Sequence, residues 1–328
     1  MIIVNITLLL VSIFFLVKSS DYLVSSASKI AKHFGIKQVI IGLTLVAFGT
    51  SVPELASSIA AIFSNNPEII IGNIIGSNIA NIGLVLGIGS LLSVIVLRDK
   101  IIKRDLYFLV GVSILFYIFS FNNILSRVEA IILLLTLTFY LYNLLKESKE
   151  KISEEAGKYV SAEVYQRLNH ESKRIKDLFT HVLKKEFYYL LVSITVLAIS
   201  AHFVIIFIKN IAVDTGIDSG IIATTLLAIG TSLPEVMVTI SSIRKGLNDL
   251  LIGNIIGSNI SNLLIVATIP ALITPLKISA KFVTFTIPVM VVFTLLFLIV
   301  FKLLNRIRYA GVSFLLLYIL FIILLFIY

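Results

Sequence analysis

Long apolar runs dominate the pattern of hydrophobic and polar positions along the chain. Most of them approach or exceed the about 20 residues that an α-helix needs to cross a lipid bilayer. The predicted spans are residues 2–18, 38–63, 69–97, 106–121, 124–145, 187–209, 218–243, 250–273, 282–303 and 309–327. The pattern therefore predicts an all-α integral membrane protein with ten transmembrane helices.

The composition agrees with this class of protein. Of the 328 residues, 58% are hydrophobic and 14% are charged, against about 45–50% and about 25% in soluble globular proteins. An ordinary water-soluble enzyme is thereby excluded. The chain has no cysteine, which excludes disulfides, thiolate metal ligands and cysteine nucleophiles.

The positive charges indicate how the chain is oriented. The formal net charge of +9 could point to nucleic acid, but 22 of the 27 Lys and Arg residues lie in every second connection between spans. The segment 146–186 is the longest of these connections. Because basic residues accumulate on the cytoplasmic side, both termini are predicted to be extracellular and 146–186 to be cytoplasmic, in the cell membrane. The charge is thus explained by topology, without nucleic acid as a partner.

The two halves of the chain contain an internal repeat. Residues 41–83 align without a gap to 222–264, with 21 of 43 positions identical. The core blocks are GTSVPE and IGNIIGSNIAN in the first copy, and GTSLPE and IGNIIGSNISN in the second. Five spans per half place the two copies in opposite orientations, as in many secondary transporters. The predicted domains are a first inverted repeat (1–145), a cytoplasmic linker (146–186) and a second inverted repeat (187–328).

Two carboxylates stand at equivalent places in the repeat. Glu54 and Glu235 lie in the middle of apolar runs, where an ionised carboxylate costs at least about 2.5 kcal/mol. Neither has a Lys or Arg in its own span, so a bound cation or a proton must neutralise it. Glu129 also falls in an apolar run, but it lies beside Arg127 near a helix start and is interpreted as an interfacial ion pair or snorkelling contact.

The repeated blocks around these two glutamates are rich in residues that can offer oxygen ligands. Pro53 and Pro234 remove backbone donors and leave nearby carbonyls free to face a cavity. The candidate metal ligands are Glu54, Glu235, Thr50, Thr231, Ser51, Ser232, Ser77, Ser258, Asn81 and Asn262, with backbone carbonyls in 47–50 (from Ala47) and 228–231 (from Ala228). An all-oxygen set suits calcium, whereas the lack of Cys and of His in the blocks disfavours softer metals.

The other repeated small and amide residues have structural alternatives. The pairs Gly72 with Gly76 and Gly253 with Gly257 follow a spacing typical of close helix packing. For the amides of Asn73, Asn78, Asn254 and Asn259 two interpretations are equally favoured, interhelical hydrogen bonds and support of the site.

With these blocks the chain resembles the cation/calcium exchanger superfamily, sodium/calcium exchanger branch, archaeal type. The resemblance implies that helices two, three, seven and eight hold the ions while the first and sixth helices slide across them. It implies that Glu54, Glu235, Thr50 and Thr231 bind calcium. It also implies that Ala47, Ser51, Ser77, Ala228, Ser232 and Ser258 contribute to sodium binding.

The resemblance also carries expectations about transport. Asn262 departs from the Asp of some archaeal and potassium-dependent relatives, which implies exchange without potassium. The usual three sodium ions per calcium ion imply electrogenic antiport by alternating access. Calcium and sodium are then transported substrates and not cofactors, and the protein is a membrane transporter, expected to be monomeric, and not an enzyme.

Alternatives remain beside this interpretation. A proton/calcium antiporter could use the same two glutamates, although that branch usually carries a GNxxE-type block. A channel is disfavoured because its filter usually repeats around an axis along the membrane normal. An intramembrane protease is disfavoured because His202 near Ser200 is the only His in a span and no span holds a pair of Asp residues.

Overall fold

The computed structural model describes residues 2–63, 67–96, 100–159, 162–214, 232–304 and 306–327. The helices are α1 Ile2–His33, α2 Gln38–Phe63, α3 Glu68–Leu92, α4 Lys100–Ser120, α5 Arg127–Tyr159, α6 Ala162–Asp214, α7 Leu233–Arg244, α8 Asn248–Ile273, α9 Phe282–Leu303 and α10 Tyr309–Ile327. Within these ranges seven helices (α1, α2, α3, α5, α6, α8 and α9) are long and apolar enough to cross a membrane. The helical membrane architecture is confirmed, while the count of ten spans stays a prediction.

Several helices extend beyond the predicted spans. α1 continues from the expected end at residue 18 to His33, because Leu23, Val24 and Ala27 are buried against neighbouring helices in spite of the polar residues between them. The predicted linker 146–186 is helical over nearly its whole length, since α5 ends at Tyr159 and α6 begins at Ala162. Hydropathy identified the apolar parts of these helices and missed their polar continuations. The division into two halves and a linker stays a prediction.

Two short antiparallel ribbons join distant parts of the chain. β1 (Ile95–Val96) pairs with β4 (Arg306–Ile307), and β2 (Ile124–Leu125) pairs with β3 (Leu276–Lys277). When the alignment of the two repeats is continued beyond residues 41–83, the positions of β1 align with those of β3, and the positions of β2 align with those of β4 to within one residue. Each ribbon therefore pairs a strand from one half of the chain with a strand from the other half.

Three helices contain π-helical segments close to the repeated blocks. These segments are Gly42–Val46 in α2, Asn81–Val85 in α3 and Asn262–Val266 in α8. The last two begin at equivalent positions of the repeat, Asn81 and Asn262. The sequence repeat is therefore reproduced in local backbone structure. Such π-helical turns are rare and often occur at functional sites.

α2 and α8 cross at very short range. A Cβ atom on Gly257 would lie 2.5 Å from the carbonyl oxygen of Leu43 and 2.6 Å from the Cβ of Ala47, and one on Gly42 would lie 2.5 Å from the carbonyl oxygen of Leu250. Only glycine permits this approach of the two backbones. The packing role predicted for Gly253 and Gly257 is confirmed. In the second half of the chain, the residues that the repeat relates to this part of α2 lie outside the described ranges.

Candidate cation site

The site begins with a break in α2. The helical segment Ala47–Thr50 ends at Ser51, whose φ of −84° and ψ of 1° leave helical geometry. A new helical segment, Val52–Phe63, follows with Glu54 in its first turn. Pro53 fits at such a helix start because its missing N–H would have no intrahelical acceptor there.

α7 repeats this local structure. Ser232 precedes the helix with a φ of −87° and a ψ of 3°, Pro234 lies at its start, and Glu235 lies in its first turn. The free N–H groups of a helix N-terminus carry partial positive charge. Both carboxylates are thus held where the backbone itself favours negative charge.

Both glutamates are completely buried, with 0% of each residue exposed. Among the described residues, none of their four carboxylate oxygens has a hydrogen-bond partner. The Glu54 carboxylate lies near the Ser77 hydroxyl and within electrostatic range of Glu235. The Glu235 carboxylate lies near the hydroxyls of Thr50 and Ser258. A buried carboxylate without a partner is strongly unfavourable, so this arrangement calls for a positively charged ligand.

The other predicted ligands that the structure describes are buried in the same region. They are Ala47, Thr50, Ser51, Ser77, Asn81, Ser232, Ser258 and Asn262. In the described part of the chain, the Ser51 and Ser232 hydroxyls and the amide groups of Asn81 and Asn262 have no hydrogen-bond partner. Buried polar groups normally have partners, and a group of such oxygens beside two carboxylates is suited to a hard cation. Thr231 and Ala228 lie outside the described residues.

Thr50 connects the two halves beside the carboxylates. Its hydroxyl lies 3.1 Å from Ser258 Oγ and 3.3 Å from Asn254 Oδ1, both on α8, and 3.2 Å from the carbonyl oxygen of Ala47. These contacts fix the side of α2 that carries Thr50 against α8. The repeated blocks, which are far apart in sequence, are therefore brought together in one place.

The four further amides of the blocks behave differently from one another. Asn78 is 1% exposed and its amide has no hydrogen-bond partner among the described residues. Asn73 Nδ2 donates to the Glu54 carbonyl oxygen (3.0 Å) and to Ser58 Oγ (3.1 Å), so it holds the helix start at Glu54 against α3. Asn254 makes the interhelical contact with Thr50. Asn259 Nδ2 donates within its own helix, to the Ile255 carbonyl oxygen. Asn73 and Asn254 thus support the site by positioning its helices.

Glu129 has a local structural role that differs from the predicted ion pair or snorkelling contact. Its Oε2 accepts from the Ser126 N–H at 2.7 Å, and the Ser126 hydroxyl accepts from the Glu129 N–H at 3.3 Å. This reciprocal pattern is a capping box at the start of α5. Arg127 instead donates to the carbonyl oxygens of Leu272 and Ile273 at the end of α8.

Three buried or half-buried acidic side chains were not anticipated within the helices. Asp105 is fully buried in α4, with its Oδ1 2.6 Å from an Arg104 guanidinium nitrogen. Asp21 of α1 and Glu186 of α6 also lie inside helices. Each is close to the edge of a predicted apolar run, so the only available signal was a charged residue bordering a span. The described residues contain no cluster of three or more His, Cys, Asp or Glu side chains that could hold a metal.

A multi-pass helical protein with two partnerless carboxylates and buried hydroxyl and amide oxygens in its described interior has the features of a membrane cation transporter. The sequence pattern of the sodium/calcium exchanger protein family matches residues 4–146 and 185–327. The chain belongs to this family of membrane transporters.

Individual relatives match most or nearly all of the chain. The sequence is 38% identical to the sodium/calcium exchanger MaX1 of Methanosarcina acetivorans, covering 99% of each protein. It is 33% identical to the inner membrane protein YrbG of Escherichia coli, covering 82% of this chain and 79% of that protein. The fold matches the sodium-calcium exchanger NCX_Mj, soaked with zero Na⁺ and Ca²⁺, with a TM-score of 0.81 and 29% identity over 99% of this chain and 100% of that chain.

Proposed function

We propose that the protein exchanges sodium for calcium across the cell membrane by alternating access. The observation that carries the proposal is the pair Glu54 and Glu235, completely buried and without hydrogen-bond partners among the described residues. The choice of sodium and calcium is supported by the similarity to MaX1 and NCX_Mj, which are both named as sodium/calcium exchangers.

The role proposed for each ligand is the one that the resemblance to the exchanger family implies. Calcium binds to the carboxylates of Glu54 and Glu235 and to backbone oxygens at Thr50 and Thr231. Sodium binds beside them, with contributions from Ala47, Ser51, Ser77, Ala228, Ser232 and Ser258. The Asn81 and Asn262 amides complete the oxygen set. Support comes from the burial of those ligands that the structure describes and from their unpartnered oxygens.

The charge of the site explains exchange without leak. One calcium ion neutralises the two carboxylates, and three sodium ions leave one net positive charge in place of two bare negative ones, so either load lowers the cost of moving the site past lipid. The empty site carries two bare negative charges, whose desolvation opposes the conformational change. Only the loaded protein therefore moves between its two openings.

Topology and coupling complete the proposal. The two halves are inverted repeats in a protein with ten spans, both termini are extracellular, and 146–186 is cytoplasmic. Two contacts support the predicted sidedness of the connections, which is the same in either orientation: Ile95 meets Ile307 beside connections predicted on one side, and Ile124 meets Lys277 beside connections predicted on the other. With Asn262 in place of a third carboxylate, potassium is not required, and exchange of three sodium ions for one calcium ion is electrogenic. The protein acts as a monomer.

A proton/calcium antiporter is the second candidate. The specific observation that favours it is the proximity of two buried carboxylates, since protons can neutralise such a pair as well as cations can. It shares the calcium site with the first candidate and differs in the coupling ion.

The test is uptake of calcium-45 into proteoliposomes loaded with sodium, with potassium, or with an imposed pH gradient. Uptake that follows the sodium gradient and is abolished in Glu54→Gln and in Glu235→Gln is the expected result. Glu129→Gln is the matched control, because glutamine preserves a capping box and Glu129 lies outside the site. Uptake that ignores sodium and follows the pH gradient would establish the proton-coupled alternative.

A further inference from the structure

α1 and α6 form a unit with its own apolar packing. Their buried apolar residues belong to one cluster, whose other buried members in the described ranges are Ile41 and Val46 of α2, Val238 of α7 and Leu250 of α8, while the larger cluster contains no described residue of α1 or α6. A helix pair that shares its core mainly with itself can move against the remainder with little loss of packing. This division supports movement of α1 and α6 as one body.

Polar contacts hold the pair together near both ends. Glu186 of α6 accepts from Ser26 Oγ and from Lys29 Nζ of α1, each at 2.9 Å. Asn5 Nδ2 of α1 donates to Asp214 Oδ2 of α6 at 3.2 Å. These bonds lie inside the pair and therefore do not resist its movement over the other helices.

A second set of contacts links α1 to α7 and crosses the boundary of the pair. Ser241 Oγ donates to Asp21 Oδ1 at 2.6 Å, and an Arg244 guanidinium nitrogen lies 3.7 Å from Asp21 Oδ2. Lys245 Nζ donates to the Asp21 carbonyl oxygen and to Ser25 Oγ. We call Asp21, Ser25, Ser241, Arg244 and Lys245 the cytoplasmic latch, after the face to which the proposed topology assigns them.

The members of the latch contribute unequally. Ser241 is 1% exposed and the Asp21 side chain is 25% exposed. Their hydrogen bond is short, is accepted by a carboxylate and is partly shielded from water, which makes it a strong hydrogen bond. The Arg244 and Lys245 side chains are exposed. Water competes there for the ion pair of Arg244 and for the hydrogen bonds of Lys245, so these contacts contribute less. The bond between Asp21 and Ser241 is therefore the principal contact.

The sequence does not repeat the latch in the other half. The positions that the repeat relates to the latch carry His202 for Asp21, Ala60 for Ser241 and Phe63 for Arg244. Alanine and phenylalanine side chains offer neither a hydroxyl nor a charge. Since the repeated blocks are nearly symmetric and the latch is not, the latch makes the two faces of the protein energetically different.

We propose that Asp21 is a positioning residue for ion exchange: through Ser241 it holds α1 on α7 and keeps the cytoplasmic route to Glu235 closed. The inference rests on the proposed alternating access. Loss of the latch favours the state that is open to the cytoplasm, and ligand binding from that face becomes tighter because less free energy is needed to reach the competent state.

The absence of cysteine in the chain allows a direct test in the full-length protein. Val238 of α7 lies between Glu235 and Ser241 and is completely buried against the pair. A Val238→Cys reporter is exposed to a membrane-impermeant maleimide from the cytoplasmic face, without any ion gradient. Adding Ser241→Ala is expected to raise the labelling rate roughly tenfold or more, the factor expected for a lost hydrogen bond to a charged group. Asp21→Asn keeps an acceptor for Ser241 but loses the charge, so it is expected to raise the rate by a smaller factor.

Two variants serve as controls. Ser241→Thr keeps the hydroxyl and is expected to label like the parent reporter. Lys29→Gln removes an ion pair of α1 that lies inside the moving pair, and it is also expected to leave labelling unchanged. Equal labelling of Ser241→Ala and Ser241→Thr would overturn the proposal, as would an equal increase in Lys29→Gln.

Transport supplies the second readout. The half-saturating calcium concentration at the cytoplasmic face is expected to fall in Ser241→Ala, while that at the extracellular face rises. Labelling requires no coupling ion, so a change in labelling supports the latch even if sodium is not the coupling ion. Parallel changes at the two faces would contradict the latch and indicate an altered ion site.

Discussion

Thr50 is the residue at which the two halves of the site meet. Thr50→Val retains shape but removes the hydroxyl that faces Asn254 and Ser258. Because buried polar partners are left without a hydrogen bond, we expect a loss of about 1–3 kcal/mol in stability together with weaker calcium uptake. Thermal unfolding in detergent and calcium-45 uptake measure the two effects.

Thr294→Val is the matched control for this change. Thr294 is also buried, but its hydroxyl donates to the Met290 carbonyl oxygen of its own helix at 2.9 Å. We expect a smaller loss of stability and normal uptake. Equal effects of the two substitutions would mean that Thr50 has no special role between the helices.

At the residue scale, sequence identified the chemistry better than the supporting contacts. Glu54 and Glu235 were predictable because an intramembrane carboxylate is costly and the repeat shows it twice. The contact of Asn254 with Thr50, and the two-sided role of Asn73, depend on which helices are neighbours. Asp21 was missed because it follows an apolar run whose helix continues through polar residues.

At the scale of elements, the crossing of α2 and α8 brings the two blocks together. Gly257→Ala would place a methyl group against backbone and side-chain atoms of Leu43 and Ala47. Overpacking of this kind typically costs about 1–3 kcal/mol, here in a contact between backbones that cannot adjust easily. We expect a lower unfolding temperature and reduced uptake, measured by size-exclusion chromatography after heating and by calcium-45 flux.

Gly111→Ala in α4 is the matched control. Gly111 is exposed, and a Cβ atom there meets no described atom within 4 Å. Alanine favours a helix over glycine by about 1 kcal/mol, so this variant should be at least as stable as the parent protein. If Gly257→Ala matched it, the two helices would not be as closely packed as the structure indicates.

Elements were predictable where hydropathy alone determines them. The apolar parts of α3, α8 and α9 agree with the predicted spans within a few residues. The polar ends of α5 and α6, the π-helical turns and the two ribbons were not predictable, because they depend on packing and on pairing between distant segments. Ile95 and Ile307, for example, carry no local signal that they form a pair.

At the scale of the whole molecule, repetition and asymmetry have separate consequences. The repeat places equivalent helix starts at Glu54 and Glu235, so the proposed site has ligands from both halves. The contact between Asp21 and Ser241 breaks this symmetry at one face. A protein can therefore use nearly symmetric ion ligands and still favour one opening over the other.

The whole transport cycle has a charge that can be measured. If three sodium ions leave a vesicle for each calcium ion that enters, one net positive charge moves outward per cycle. An inside-positive potential must then drive calcium uptake and an inside-negative potential must oppose it. One charge moved across 100 mV corresponds to about 2.3 kcal/mol, or roughly 50-fold in the calcium ratio at equilibrium.

Potassium gradients with valinomycin can set this potential in sodium-loaded proteoliposomes. We expect uptake of calcium-45 to be larger with high external potassium than with high internal potassium, and Glu54→Gln to respond to neither. Uptake that is indifferent to the potential would mean two sodium ions per calcium ion. In that case the two carboxylates would be balanced equally by either load, and the flanking oxygens would not hold a third sodium ion.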